Sequence, residues 1–213
     1  MTMAAQSPVE THTVPGRMLT QPQWLAARIA ETGETWGNTV PRVAGTMWWC
    51  MLASALVQQV ARAYATDTPA PAPELARLDC EVRTDGGIEV VHILPSDGIA
   101  ECAAALRETL ATVIPVVAAV SGAGAPALWA VVTDAIGNRA LDAGSAEAGS
   151  RLAREIGGRL VAPRFVEIGG RTFVKRLSCC LVFEFPGCEM CTSCPKRTAA
   201  DRESRLAELA AQG

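Results

Sequence analysis

Apolar positions recur at helical spacing over most of this chain and switch to strand-like alternation in two short stretches. From Gly45 to Ala65 the centre, Met47-Trp48-Trp49-Cys50-Met51-Leu52, is apolar on nearly every side, and Gln58, Gln59 and Arg62 return the pattern to solvent. That predicts a long, mostly buried helix. Before it, Thr20-Gln21-Pro22-Gln23 reads as a helix start, with Thr20 as N-cap and Pro22 in the first turn. This helix is expected to reach Thr32 with Trp24, Leu25, Ala27 and Ile29 inward, and to end at Gly33. The alternating Thr68–Pro73 stretch breaks the pattern as a stiff linker.

Beyond the linker, Asp79–Thr84 and Ile88–Leu94 flank Asp85-Gly86-Gly87, a hairpin signal. Ile99, Cys102, Leu106, Leu110, Val113, Val117 and Val120 then follow helical spacing, with Asp97 as N-cap and Pro115 predicting a kink or break near Ile114. Helices are expected over 125–141 and 145–156, the second closed by Gly157-Gly158. Arg164–Ile168 and Thr172–Leu177 around Gly169-Gly170 form a second hairpin, and Leu181–Phe185 reads as a further short strand before the Pro186-Gly187 turn. Thr198 and Asp201 open a final polar helix in which Asp201 and Arg205 pair. The sum is an α+β fold, mainly helical, with two β-hairpins and a C-terminal cysteine-rich cluster-binding loop. It divides into a flexible leader at 1–18, a helical α+β body at 19–170, and a C-terminal cysteine-rich segment with its closing helix at 171–213.

Composition narrows the class. A chain of 213 residues that is 49% hydrophobic and 19% charged has room for one globular domain with a sizeable core. A formal charge of −3 argues against non-specific nucleic-acid binding. Met1–Gly16 shows no basic segment followed by an apolar run. The apolar stretch Val43–Val57 stops at Gln58-Gln59, below the ~18 residues of a membrane span. These features lead to the expectation of a cytoplasmic protein without a membrane span. In a reducing compartment, clustered cysteines are metal or redox ligands more often than disulfides.

The chain has eight cysteines, and five fall between Cys179 and Cys194. Adjacent Cys179 and Cys180 point to opposite sides of a regular strand, so serving one centre requires a bend there or a centre at the strand end. Cys191-Thr192-Ser193-Cys194 places two sulfurs on one side of a tight loop, bracketed by Pro186, Gly187 and Pro195. Together they supply four thiolates, enough for a [2Fe–2S] cluster. A four-cysteine zinc site is the plain alternative, although an adjacent Cys-Cys pair is an unusual zinc knuckle. Cys188 adds a Cys188-x-x-Cys191-x-x-Cys194-Pro195 run like part of a [4Fe–4S] ferredoxin motif, which would then need its fourth ligand from Cys179 or Cys180.

The spacing Cys179-Cys180, ten residues, Cys191, two residues, Cys194 resembles the C-C-x10-C-x2-C signature of the FhuF family of ferric-siderophore reductases. Val174-Lys175-Arg176 is similar to that family's basic approach to its Cys-Cys, and Ile114–Val117 with Leu128-Trp129 extends a looser likeness upstream. The resemblance implies a [2Fe–2S] cluster held by Cys179, Cys180, Cys191 and Cys194, with Cys188 as a neighbour outside the signature. It also implies a one-electron reductase acting on Fe(III) in a hydroxamate-type siderophore. With no nucleotide-binding motif in the chain, the electron must come from an external donor protein or reductase. A [2Fe–2S] carrier lacking a siderophore site and a zinc-bearing structural domain stay open beside it.

Ser178, Thr192 and Ser193 are candidate hydrogen-bond donors to sulfur. Arg164, Arg171, Lys175, Arg176, Lys196 and Arg197 make the segment locally basic and are candidates for docking a substrate or donor, or for balancing the charge of the cluster. Lys175 and Arg176 face opposite ways on a regular strand. His12 and His92 lack partners at ligand spacing, Trp48, Trp49 and Trp129 read as core, and Cys50, Cys80 and Cys102 read as apolar fillers.

Overall fold

The helix around which the protein packs is α2, Pro41–Ala65. Its sequence is apolar nearly all round, so it must be buried on most sides. Trp48 and Trp49 are both fully buried in the computed structural model, which describes residues 10–94 and 101–212. Two adjacent side chains point in different directions from a helix, so each indole N–H needs its own acceptor. Trp48 Nε1 donates to Gly86 O and Trp49 Nε1 to Leu128 O, each at 2.9 Å.

Around α2 lie α1 (Pro22–Trp36), α3 (Cys102–Ser121), α4 (Ala125–Asp142) and α5 (Ala146–Ile156). Strands β1 (Thr11–Pro15), β2 (Leu78–Arg83) and β3 (Ile88–Ile93) form an antiparallel sheet in the order β1-β2-β3. The β2–β3 turn seats on α1 and α2. Thr32 Oγ1 donates to Asp85 O at 3.0 Å, and a Cβ built at Gly86 would lie 2.4 Å from Arg28 O. Gly86 also has φ +79°, so its glycine is required twice over. A second hairpin, β4 (Phe165–Ile168) with β5 (Arg171–Val174), precedes the cysteines, and α6 (Ala199–Ala211) closes the chain.

The α+β, mainly helical reading with two hairpins and a C-terminal cysteine-rich segment is what the chain adopts. Several details differ. Thr11–Pro15 pairs with β2, and Leu19 in the following 3₁₀ turn is fully buried, so residues 11–18 are not a flexible leader. Gly33 lies buried inside α1, where a Cβ would lie 2.9 Å from Asn38 O, and Gly37 at φ +80° is the true C-cap. α3 runs through Pro115 without a break. It has the length and hydropathy of a membrane-crossing helix, but Leu106, Leu110, Val113, Ile114 and Val117 sit in the core. Leu181–Phe185 is not a strand: Val182–Glu184 forms a 3₁₀ turn. The predicted N-cap Asp97 and apolar position Ile99 lie outside the described residues.

Candidate metal centre

The entrance to the cysteine segment is anchored to the body by a buried carboxylate. Asp134 sits in the middle of α4 and is 3% exposed. It accepts from Leu177 N–H at 2.8 Å, Ser178 N–H at 2.9 Å, Ser178 Oγ at 2.6 Å and Arg176 Nε at 3.4 Å. A buried carboxylate is stable only when its oxygens are filled this way. The approach is close at Gly137, one turn along α4, where a Cβ would lie 3.0 Å from the Val174 side chain and 3.1 Å from that of Pro163. A side chain there would require Val174 and Pro163 to give way by a few tenths of an ångström.

From this anchor the chain enters Cys179-Cys180. Leu181 follows in the left-handed conformation at φ +61°, which costs about 1–2 kcal/mol for a non-glycine residue. Its side chain is 6% exposed and packs with Val43 and Phe185, which holds it there. The turn aims successive N–H groups at sulfur, Leu181 at Cys179 and Val182 at Cys180.

The four signature thiols meet as two pairs. Cys179 Sγ and Cys194 Sγ are 3.7 Å apart, and Cys180 is hydrogen-bonded to Cys191. Two sulfurs on one tetrahedral metal, each ~2.3 Å from it, are separated by about 3.8 Å. Among the described residues no group of three or more His, Cys, Asp or Glu converges as a single-ion site. A [2Fe–2S] centre takes two protein thiolates per iron, so the two pairs fit it as donor set and spacing. The bend required by adjacent cysteines is the Leu181 turn. Cys188 is in neither pair and, like Cys179, packs against Val43, Leu181 and Phe185.

Arg176 is the cation of the site. Its side chain is 14% exposed, and Nη1 donates to Cys191 Sγ at 3.2 Å while Nε faces Asp134. Burial works against its charge, but Cys191, Cys180 and Asp134 outweigh burial and raise its pKa. As free thiols, Cys180 and Cys191 share one proton. Hydrogen bonding from Cys191, then Val182 N–H and Arg176, lowers Cys180 against the effect of burial, and the same bond with burial raises Cys191. One thiol of the pair is thus readily ionised, the form that binds metal.

The predicted docking residues separate into two groups. Arg176 is turned inward, and Arg197, with a side chain 7% exposed, donates to Cys191 O, Met190 O and Asp201. Arg197 holds the loop through these bonds, while Arg176 both braces the loop and lines a cavity beside Cys180. Lys175, Arg171 and Lys196 are exposed, with Arg171 over the Phe173 ring and Lys196 over Phe183. Ser178 gives its hydroxyl to Asp134 and not to sulfur. Sequence reasoning missed Asp134. Cys50, in α2, packs against the core as the sequence suggests and also shares a cavity with Cys180 and Arg176; burial, with Cys180 beside it, pushes its thiol up. No local signal marks Asp134; its role arises from α4 packing against the loop.

The site therefore defines an iron–sulfur domain built on paired thiols at the end of a helical body. Residues 176–196 match the family model of the FhuF 2Fe-2S C-terminal domain, a span that contains all four paired cysteines together with Cys188 and Arg176. No curated protein matches the chain.

Proposed function

We propose that this protein is a cytoplasmic ferric-siderophore reductase. It passes one electron from a [2Fe–2S] cluster to Fe(III) held by a hydroxamate-type siderophore, so that iron leaves as Fe(II). The observation that carries this reading is the match of residues 176–196 to the FhuF 2Fe-2S domain, on cysteines that pair as such a cluster needs. Hydroxamate oxygens are hard donors that bind Fe(III) far more tightly than Fe(II), so one electron loosens the complex and no bond within the ligand need break.

When bound, the cluster supplies a single electron at low potential. The chain does the rest. Cys179, Cys180, Cys191 and Cys194 hold the cluster. Leu181 N–H, Val182 N–H and the Arg176 guanidinium direct positive charge at the sulfurs, which favours the more negative reduced state. Asp134 fixes Arg176 and the loop entrance. Lys175, Arg171 and Lys196 are the exposed cations suited to an acidic external donor.

The test is to reduce the holoprotein anaerobically, mix it with ferric hydroxamate siderophores, and follow cluster reoxidation while a ferrous chelator captures Fe(II). Reoxidation with matching Fe(II) capture is expected. Failure with every ferric siderophore, alongside fast exchange with redox proteins, would make the protein an electron carrier instead.

A further inference from the structure

A cavity of about 390 Å³ opens between α2 and α4, with Cys180 and Arg176 in its wall on the cluster side. Met47, Met51 and Val131 give it apolar sides. Arg139 also lines it; its Nε is buried and, among the described residues, has no hydrogen-bond partner, although Nη2 pairs with Asp142 at 2.8 Å. A second hollow of about 370 Å³ shares Arg139 and continues past Gln58 and Arg62. The two hollows form one cleft that starts at a cluster ligand and runs along the α2–α4 seam.

We infer that this cleft is the siderophore-binding site, with one hydroxamate arm seated in the hollow beside Cys180. The inference rests on the reading of the protein as a ferric-siderophore reductase. Three features of the cleft select that ligand. The Arg139 side chain, partly exposed and lining both hollows, offers guanidinium N–H groups to a ligand oxygen, and a hydroxamate carries two. Met47 and Met51 adapt to flexible methylene chains, which link successive hydroxamates. The inner hollow lies within the ~300–1,000 Å³ of small-molecule sites and takes one arm, while the outer hollow, with Gln58 and Arg62, takes the polar remainder of the chelate. Seated there, the Fe(III) lies beside the Cys180 wall. It gains one electron as the reduced cluster returns to its oxidised state, and an external donor protein restores that electron.

Ser54 faces the inner hollow from α2. The test compares wild type with Ser54→Trp, which fills the hollow, and Arg139→Met, which removes the guanidinium. Cluster spectrum and reduction potential are recorded for each, then reoxidation by a linear ferric trihydroxamate across a concentration series. Calorimetric titration with the redox-inert gallium(III) chelate measures binding directly. With wild-type spectrum and potential, both variants are expected to raise KM and weaken gallium-chelate binding by about tenfold. Wild-type KM and binding in either variant would overturn the cleft assignment while leaving the reductase reading intact. If Ser54→Trp fails to hold the cluster, Arg139→Met decides alone. A wild-type protein that no ferric trihydroxamate reoxidises would overturn the reductase reading and the cleft with it.

Discussion

Arg176 Nη1 lies 3.2 Å from Cys191 Sγ, a charged donor on one of the four paired sulfurs proposed to hold the cluster. A cation so placed stabilises whichever state carries more negative charge. The reduced cluster is that state. Arg176→Gln is therefore expected to lower the reduction potential, by roughly 40 mV for each kcal/mol of differential stabilisation removed. Arg176→Lys, which keeps the charge without the fork, should fall between. Potentiometric titration of the visible or EPR signal measures both, and an unchanged potential in Arg176→Gln would refute the electrostatic role.

Asp134 is the anchor on which that geometry depends. Replacing it with Ala leaves Arg176 without its carboxylate and the N–H groups of Leu177 and Ser178 unfilled. Breaking a buried charge pair costs about 3–5 kcal/mol. Asp134→Ala should melt well below wild type and bind less iron. Asp134→Asn, which retains acceptor capacity on one oxygen only, should lose less.

The thiol pairs make the ligand assignment testable one residue at a time. Cys180→Ser and Cys191→Ser should lose or alter the cluster, as judged by iron and sulfide content and by absorption. Cys188→Ser should leave both unchanged, because Cys188 is in neither pair. A normal spectrum in Cys180→Ser would contradict the assignment.

Asp85 couples pH to the fold at the β2–β3 turn, which meets α2 at Trp48 and Met51. Burial tends to raise its carboxyl pKa, but hydrogen bonds from Arg83 and Gly87 N–H outweigh burial, the Arg83 charge and Trp36 Nε1 add to them, and the value is lowered. A carboxyl lowered on folding contributes stability above the unfolded value of ~3.9, and that contribution is lost as pH falls through the folded value. Asp85→Asn should lose about 1 kcal/mol at neutral pH and show a flatter decline below pH ~4. Urea midpoints across that range measure the difference.

What the sequence shows and hides follows from how far each feature depends on distant contacts. The helices and both hairpins are legible because periodicity is local, as in Met47–Leu52 or around Asp85-Gly86-Gly87. Strand β1 is not, since Thr11–Pro15 is a short polar edge with no apolar run, defined only by pairing with β2. Leu181–Phe185 misleads because an apolar run suits a strand or a buried turn equally, and the left-handed Leu181 decides it. The cysteines are legible through spacing alone. Asp134 is hidden because it reaches a segment 42 to 44 residues later. For Arg176 and Arg197 the sequence leaves docking and charge balance equally open, because composition carries no information about burial.

The pairing of Cys179 with Cys194 and Cys180 with Cys191 has a consequence for how the centre is assembled. Each pair draws one sulfur from the arm fixed to α4 and one from the arm leading into α6, so a metal bridging either pair would tie the two arms together and close the ten residues between them as a belt whose buckle is inorganic.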